Sequence, residues 1–460
     1  MAATTEAATP DATAAADPAS GPGQPWPESR LAWYAVVILA TVLMLGQLES
    51  QIINYLIKPI KRDFHLSDLQ MSVLIGVAPS AFYALVGFPL ARLVDSMQRT
   101  AVMSVALGLA GVMTSMAGFT QAFWQFALCR FAVGGGGAVS NPGTYSLLSD
   151  YFPRERLPRA IATLTLGLVF ARAIAPILSG AMVGLAAGWG VLHFAGLAIR
   201  EWQTVFIMAG VLGLTGALLM LTVKEPPRRG KMSAMQGKPL PMRTVLAYVW
   251  KNRLIYLPQY LALGFYAVES FGLESWRLEF LRRTYGWEPQ VAGPILGTAA
   301  LCAQLTGLFF GTRLTEWLAK RTDDANLRTV AIAYTIAPIF AVASPLMPNP
   351  WLSIACSAVT GMLGTACAAP QNAALQSVTP NEMRGQITAL YYFVFTAIGL
   401  GIGPTIMAFV TNVIIGDENL IRYAMAGSAA VMTPLAAIFM WIAVRPYGRA
   451  IAAIKARESQ

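Results

Sequence analysis

Twelve long apolar runs, separated by short polar or charged segments, fill the chain between residues 31 and 444. They fall near 31–57, 69–91, 101–119, 121–146, 159–187, 203–222, 255–280, 290–314, 328–346, 351–376, 386–413 and 421–444. A helix needs about 20 apolar residues to cross a hydrocarbon core about 30 Å thick. Each run is therefore long enough to span a bilayer, the longer ones by tilting or by extending beyond the lipid. The pattern predicts an all-α membrane protein of twelve transmembrane helices.

Only 12% of the 460 residues are charged and 56% are hydrophobic. Soluble domains carry roughly 25% charged residues, so an ordinary globular enzyme is excluded. The net charge of +10 does not indicate nucleic acid as a partner, because the basic residues gather in short segments between apolar runs. That distribution orients membrane helices. The even-numbered loops hold Arg92 and Arg99, then Arg154, Arg156 and Arg159, then Arg313, Lys320, Arg321 and Arg328, and the end of the chain adds Arg445, Arg449, Lys455 and Arg457. The odd loops are poorer, with Lys58, Lys61, Arg62, Arg282 and Arg283 as exceptions. Both termini are expected on the cytoplasmic side of the cell (inner) membrane.

Residues 1–30, rich in Ala, Thr and Pro, are expected to form a disordered cytoplasmic tail. No apolar segment precedes residue 31, so a cleaved signal peptide is not expected. A basic linker over 223–254, opening with Lys224-Glu225-Pro226-Pro227-Arg228-Arg229-Gly230, separates six-helix units at 31–222 and 255–445, and residues 446–460 form a second cytoplasmic tail. The units echo each other. Pro153-Arg154-Glu155-Arg156-Leu157-Pro158-Arg159 precedes the fifth run, with Pro176 inside it. Pro380-Asn381-Glu382-Met383-Arg384-Gly385-Gln386 precedes the eleventh, with Pro404 at a matching depth. Two parallel repeats place a substrate site between the halves, near the membrane midplane.

No metal site or cofactor is expected. Cys129, Cys302, Cys356 and Cys367 lie inside apolar runs without paired spacing, and His65 and His193 stand alone. Gly134-Gly135-Gly136-Gly137 lacks the preceding strand and following Gly-Lys-Ser/Thr of a phosphate loop, and reads as close helix packing. With no nucleotide-binding motif, transport would draw on a gradient.

Several stretches resemble spinster-like transporters of the major facilitator superfamily. They are Pro59-Ile60-Lys61-Arg62-Asp63-Phe64-His65-Leu66-Ser67-Asp68 with Leu74-Ile75-Gly76, then Tyr145-Ser146-Leu147-Leu148-Ser149-Asp150-Tyr151-Phe152-Pro153, then Gly399-Leu400-Gly401-Ile402-Gly403-Pro404. The resemblance covers nearly all of 31–445 and implies the major facilitator fold, two six-helix bundles with alternating access. It also exposes departures. The gating loop Ala91-Arg92-Leu93-Val94-Asp95-Ser96-Met97-Gln98-Arg99 keeps Asp95 and Arg99 but loses the family's first Gly and the Arg after the Asp. Gly137 stands where members carry a Glu. Glu49-Ser50 replaces an Asp-Arg pair. Ala175-Pro176-Ile177-Leu178-Ser179-Gly180 varies the fifth-helix proline motif. Gating roles are expected for Asp95, Arg99, Glu155, Arg159, Glu382 and Arg384.

Ionisable groups inside a span cost several kcal/mol and usually face a cavity or one another. Glu49 lies nine residues before Lys58 and Arg130 nine after Gln121, so both sit about 13 Å below the outer surface. Arg172 lies thirteen residues beyond Arg159, at a similar level. The resemblance implies that Glu49 and Arg130 face each other, in a vestibule between the halves. Such a pair can switch a proton. An anion engaging Arg130 takes away the counter-charge of Glu49, which then binds a proton more readily. Arg130 and Arg172 suit a carboxylate or phosphate because a guanidinium binds two oxygens at once. Arg130 as a helix-to-helix contact, Glu49 as a fixed partner and Arg172 as a cap for carbonyls freed near Pro176 are the structural alternatives. Glu269 is a further candidate substrate contact, as are the rings of Tyr83, Tyr145, Tyr391 and Phe395. The last two are four apart on one helix face.

The expected function is secondary active transport of an amphipathic organic anion, an aromatic or bulky carboxylate, by proton-coupled symport. The alternative is spinster-like export of lysophospholipid or sphingoid-type lipids. Expected partners are the small anion, protons and the lipid bilayer around a monomer.

Overall fold

The computed structural model describes residues 26–86, 97–153, 155–194, 196–228, 241–380 and 382–458. Twelve long helices run through these residues. They are α1 (Ser29–Tyr55), α2 (Asp68–Val86), α3 (Arg99–Ala117), α4 (Phe123–Tyr151), α5 (Leu157–Trp189), α6 (Glu201–Leu221), α7 (Arg253–Tyr285), α8 (Pro289–Ala319), α9 (Ala325–Leu346), α10 (Pro350–Ser377), α11 (Arg384–Ile415) and α12 (Glu418–Ala456). Ten are long and apolar enough to cross a membrane by length and composition alone. The other two, α4 and α7, are the ones that carry Arg130 and Glu269. The described residues thus form a mostly helical molecule, six long helices before the linker and six after it.

Local chemistry sets the helix ends. His65 takes a left-handed conformation (φ 52°) that stops the short helix Ile57–Phe64. Two residues on, the Ser67 hydroxyl accepts from the Gln70 N–H while the Gln70 side chain accepts from the Ser67 N–H at 2.9 Å, a reciprocal cap that starts α2. Pro289 and Pro350 occupy first helical turns of α8 and α10, where a missing N–H costs nothing. The sequence did not foretell two small elements. A hairpin of β1 (Leu192–Phe194) and β2 (Leu197–Ile199) caps the turn between α5 and α6. A short helix, Met242–Lys251, precedes α7.

The halves meet along two seams, α5 on α8 and α2 on α11. Both are built from absent side chains. A Cβ at Gly293 would lie 2.5 Å from the Pro176 carbonyl, and one at Gly180 would lie 3.3 Å from the Gly293 Cα. A Cβ at Gly76 would collide with the Leu400 carbonyl. α2 widens into a π turn where it meets α11, at Val73–Val77, and α11 carries a π turn of its own just before that contact, at Val394–Ile398. An apolar cluster then joins both halves at one end of the molecule. It runs from Leu48, Ile53 and Leu56 through Leu74 to Trp276, Leu278 and Met407.

Candidate functional site

Glu49 and Arg130 come together inside the first half. Arg130 is 1% exposed and Glu49 3%. The two are within electrostatic reach but beyond ion-pair contact, with Thr114 of α3 beside the carboxyl. Gly213 of α6 makes room for Glu49, since a Cβ there would collide with the carboxylate. The pair thus lies among α1, α3, α4 and α6, sealed from water, and not in the expected vestibule between the halves. Its polar atoms are incompletely matched. Nε and Nη1 of Arg130 and Oε1 of Glu49 are buried without a hydrogen-bond partner. Unmatched polar atoms of this kind are costly to keep.

Arg172 parts company with that pair. It is exposed on α5, and its charge acts on Tyr266 of α7, in the opposite half. Glu269 is 2% exposed and rests against Ser428 of α12, with an Oγ···Oε2 distance of 2.9 Å. This conformation offers Glu269 no contact with a substrate. The aromatic candidates also diverge. Tyr391 is buried between Tyr260 and Tyr392, with ring centroids at 6.2 and 5.6 Å. Phe395 is half-buried against Phe271 at 5.4 Å. Both rings pack on one apolar cluster of the second half, Tyr391 inside it and Phe395 at its margin, in a stretch where a π turn begins at Val394. Tyr145 is exposed near Tyr392, and Tyr83 is half-buried.

Of the gating candidates, Asp95 lies outside the described residues. Arg99 is buried and binds three partners, two in its own half and one, Glu225, at the head of the linker. Its Nε meets Glu225 at 2.8 Å, and its Nη1 meets Asp150 at 2.6 Å and the Ser146 hydroxyl at 2.9 Å. Burial alone would push the Glu225 carboxyl up, but the Thr100 N–H and the Arg99 guanidinium outweigh it and hold it below its ordinary range. Glu155, Arg159 and Glu382 are exposed and make no ion pair among the described residues. Arg384 donates to the Gln376 and Thr379 carbonyls at the end of α10.

Sequence reasoning missed a charge cluster at the opposite end. Arg283 of α7 binds Asp68 of α2 through two nitrogens, at 2.7 and 2.8 Å, and Glu279 at 2.6 Å. Lys61 pairs with Asp68 and reaches Glu418 at 2.5 Å. The Asp68 N–H also donates to Glu418 at 3.2 Å. Lys61 and Asp68 belong to the first half; Arg283, Glu279 and Glu418 belong to the second. Asp68, Glu279 and Arg283 are buried. The cluster is therefore an ionic fastening across the seam.

A family model described as Major Facilitator Superfamily matches residues 39–404. An "MFS-type efflux pump" of Mycolicibacterium smegmatis is 27% identical over 429 residues, covering 92% of this chain and 95% of the relative. A "Cis,cis-muconate transport protein" of Acinetobacter baylyi is 20% identical over 284 residues, 61% of this chain and 64% of the relative. Among solved structures, an inward-facing, unoccupied bacterial homologue of the human lysosomal transporter Spinster superposes with a TM-score of 0.75. It is 22% identical, and the match covers 93% of this chain and 98% of that one.

Proposed function

The chain belongs to the Major Facilitator Superfamily, and from that premise we propose that it moves an amphipathic organic anion in symport with protons, by alternating access. The membership itself makes it a membrane-embedded transporter of small substrates and not an enzyme. The observation that carries the finer reading is the Arg130–Glu49 pair, in which a buried guanidinium and a buried carboxyl each keep unmatched polar atoms. Such a pair is poised to change partners. Arg172, exposed and turned toward α7, supplies the first cationic contact for a carboxylate between the halves. Phe395, Tyr145 and Tyr83 supply apolar surface for the body of an aromatic or bulky acid. Transfer of the anion toward Arg130 leaves Glu49 without its counter-charge, and the acid takes a proton. The muconate carrier among the relatives is consistent with a carboxylate cargo. The protein works as a monomer, with the end that carries Arg99 toward the cytoplasm of the cell (inner) membrane.

The second reading, export of lysophospholipid or sphingoid-type lipids, draws on the likeness to the bacterial spinster homologue and on the efflux role named for the mycobacterial relative. Proteoliposome uptake separates the two. Radiolabelled benzoate and cis,cis-muconate are expected to accumulate under a pH gradient, whereas lysophosphatidylcholine does not. Arg130→Ala abolishes carboxylate movement. Glu49→Gln leaves carboxylate exchange intact but removes the drive from the pH gradient. Movement of the lysolipid alone establishes the second reading, and unimpaired proton-driven uptake in Glu49→Gln eliminates the switch.

A further inference from the structure

Glu269 is a buried acid that this scheme leaves unused. Unlike Glu49, it has no arginine acting on it among the described residues. Among the described residues the Ser428 hydroxyl is the one polar group that acts on it, and its Oε1 is buried with no hydrogen-bond partner. The helices packed against α7 include α8, α10, α11 and α12. Titratable groups on these helices and on α7 include Cys302, Cys367, Tyr391, Arg422, Tyr266 and Glu274, and from α5 the charge of Arg172 reaches Tyr266, one turn from Glu269. None forms a hydrogen bond or ion pair with Glu269. Arg422 instead donates to the Leu346 carbonyl, and Glu274 faces Arg277.

An ionised carboxylate in apolar surroundings with one hydroxyl partner loses far more hydration than that hydroxyl returns. A neutral carboxyl has no such difficulty. Its carbonyl oxygen or its O–H pairs with Ser428, and the remaining oxygen carries no charge to solvate. We propose that Glu269 is a second proton-binding site, seated in the second half and filled in this conformation, separate from the Glu49–Arg130 pair in the first. Each half then holds one acid able to bind a proton. A cycle that empties both carries two protons, only one of which is linked to the anion through an arginine. The proposal rests on the transporter reading for its place in a cycle, while the protonation itself is read without any substrate.

The test is infrared spectroscopy of the full-length protein in lipid at neutral pH, where the carbonyl stretch of a protonated carboxyl stands apart from carboxylate absorption. Glu269→Gln is expected to lose one component of that band and Glu49→Gln to retain that same component. Ser428→Ala is expected to move the component to higher frequency, because the hydrogen bond is lost, without abolishing it. A protonated-carboxyl band identical in wild type and in folded Glu269→Gln overturns the proposal. So does a band unmoved by Ser428→Ala, which serves if Glu269→Gln fails to fold. Failure of the Glu49 switch appears separately, as normal pH-driven benzoate uptake in Glu49→Gln.

Discussion

At the end of the molecule where α1 leads into α2, charges reach from one half to the other. At the opposite end, among the described residues, they do not. Asp68 with Arg283 and Lys61 with Glu418 cross the seam, and Lys58 with Glu288 adds a looser pair at 3.9 Å on the rim. Arg99 is as deeply buried as Arg283, yet of its partners Asp150 belongs to its own half and Glu225 to the head of the linker that follows it. Asp324 with Arg328 and Asp323 with Lys455 likewise stay within the second half. The same residue types thus do opposite work. One set resists separation of the halves. The other stiffens each half and leaves the two to move apart. A buried ion pair adds little net stability over apolar packing but is costly to break from one side, which makes the crossing set a fastening that is either fully made or released.

Breaking that fastening should have the largest effect. Asp68→Ala takes from Lys61 and Arg283 the buried acid they share, leaving them Glu418 and Glu279, and loss of one partner of a buried pair costs roughly 3–5 kcal/mol. The cost falls on the closed arrangement, so its population relative to the open one should drop about a hundredfold or more. Spin-label distances across the Asp68 end should lengthen, and unchanged distances would contradict the role given to the cluster. Arg99→Ala is the counterpart. It should lower thermal stability by about 3 kcal/mol through the lost guanidinium contacts to Asp150, Glu225 and Ser146, with the same spin-label distances unmoved; a widened Asp68 end in this variant would erase the contrast between the two ends.

Gly293→Ala tests the seam where it has no charges. Forcing a methyl against the Pro176 carbonyl should cost roughly 1–3 kcal/mol as overpacking. At Gly361 a Cβ meets nothing within 4 Å, and alanine there should be neutral or gain up to about 1 kcal/mol from helix propensity. Equal melting temperatures for the two variants would remove the close approach of α5 and α8 from the account. The smallest effect concerns Glu225. Its folded carboxyl gives up its proton more readily than in the unfolded chain, so its contribution is complete above the ordinary glutamate value of about 4.3 and fades as pH falls below it. The melting-temperature difference between wild type and Glu225→Gln should be present at neutral pH and shrink on acidification. A difference that does not vary with pH would deny the tether.

Much of the architecture was legible because span length is set by the bilayer. The run assigned to 101–119 appears as Arg99–Ala117, and that at 351–376 as Pro350–Ser377. The proximity of Glu49 and Arg130 was legible only through family resemblance, since depth arithmetic fixes level and not lateral distance. Their enclosure by α3 and α6 was not legible, because it depends on Gly213 supplying no side chain. The π turn that begins at Val394, between Tyr391 and Phe395, was not legible in the local spacing. The ionic cluster was hidden in plain counts. Lys58, Lys61, Arg62, Arg282 and Arg283 stood out as exceptions to the loop-charge pattern, and each has an acid close by in space, supplied by Glu288, Asp68, Asp63, Glu279 or Glu418. Weighing acids together with bases in those loops would have shown that the exceptions nearly cancel.

The meeting of α5 and α8 has a mechanical consequence. Two helices that touch through bare backbone at Gly180 and Gly293 have no interlocking rotamers to disengage there, so one can roll over the other as a smooth bearing. Friction along that line is low, and the pace of rocking is left to whatever grips elsewhere.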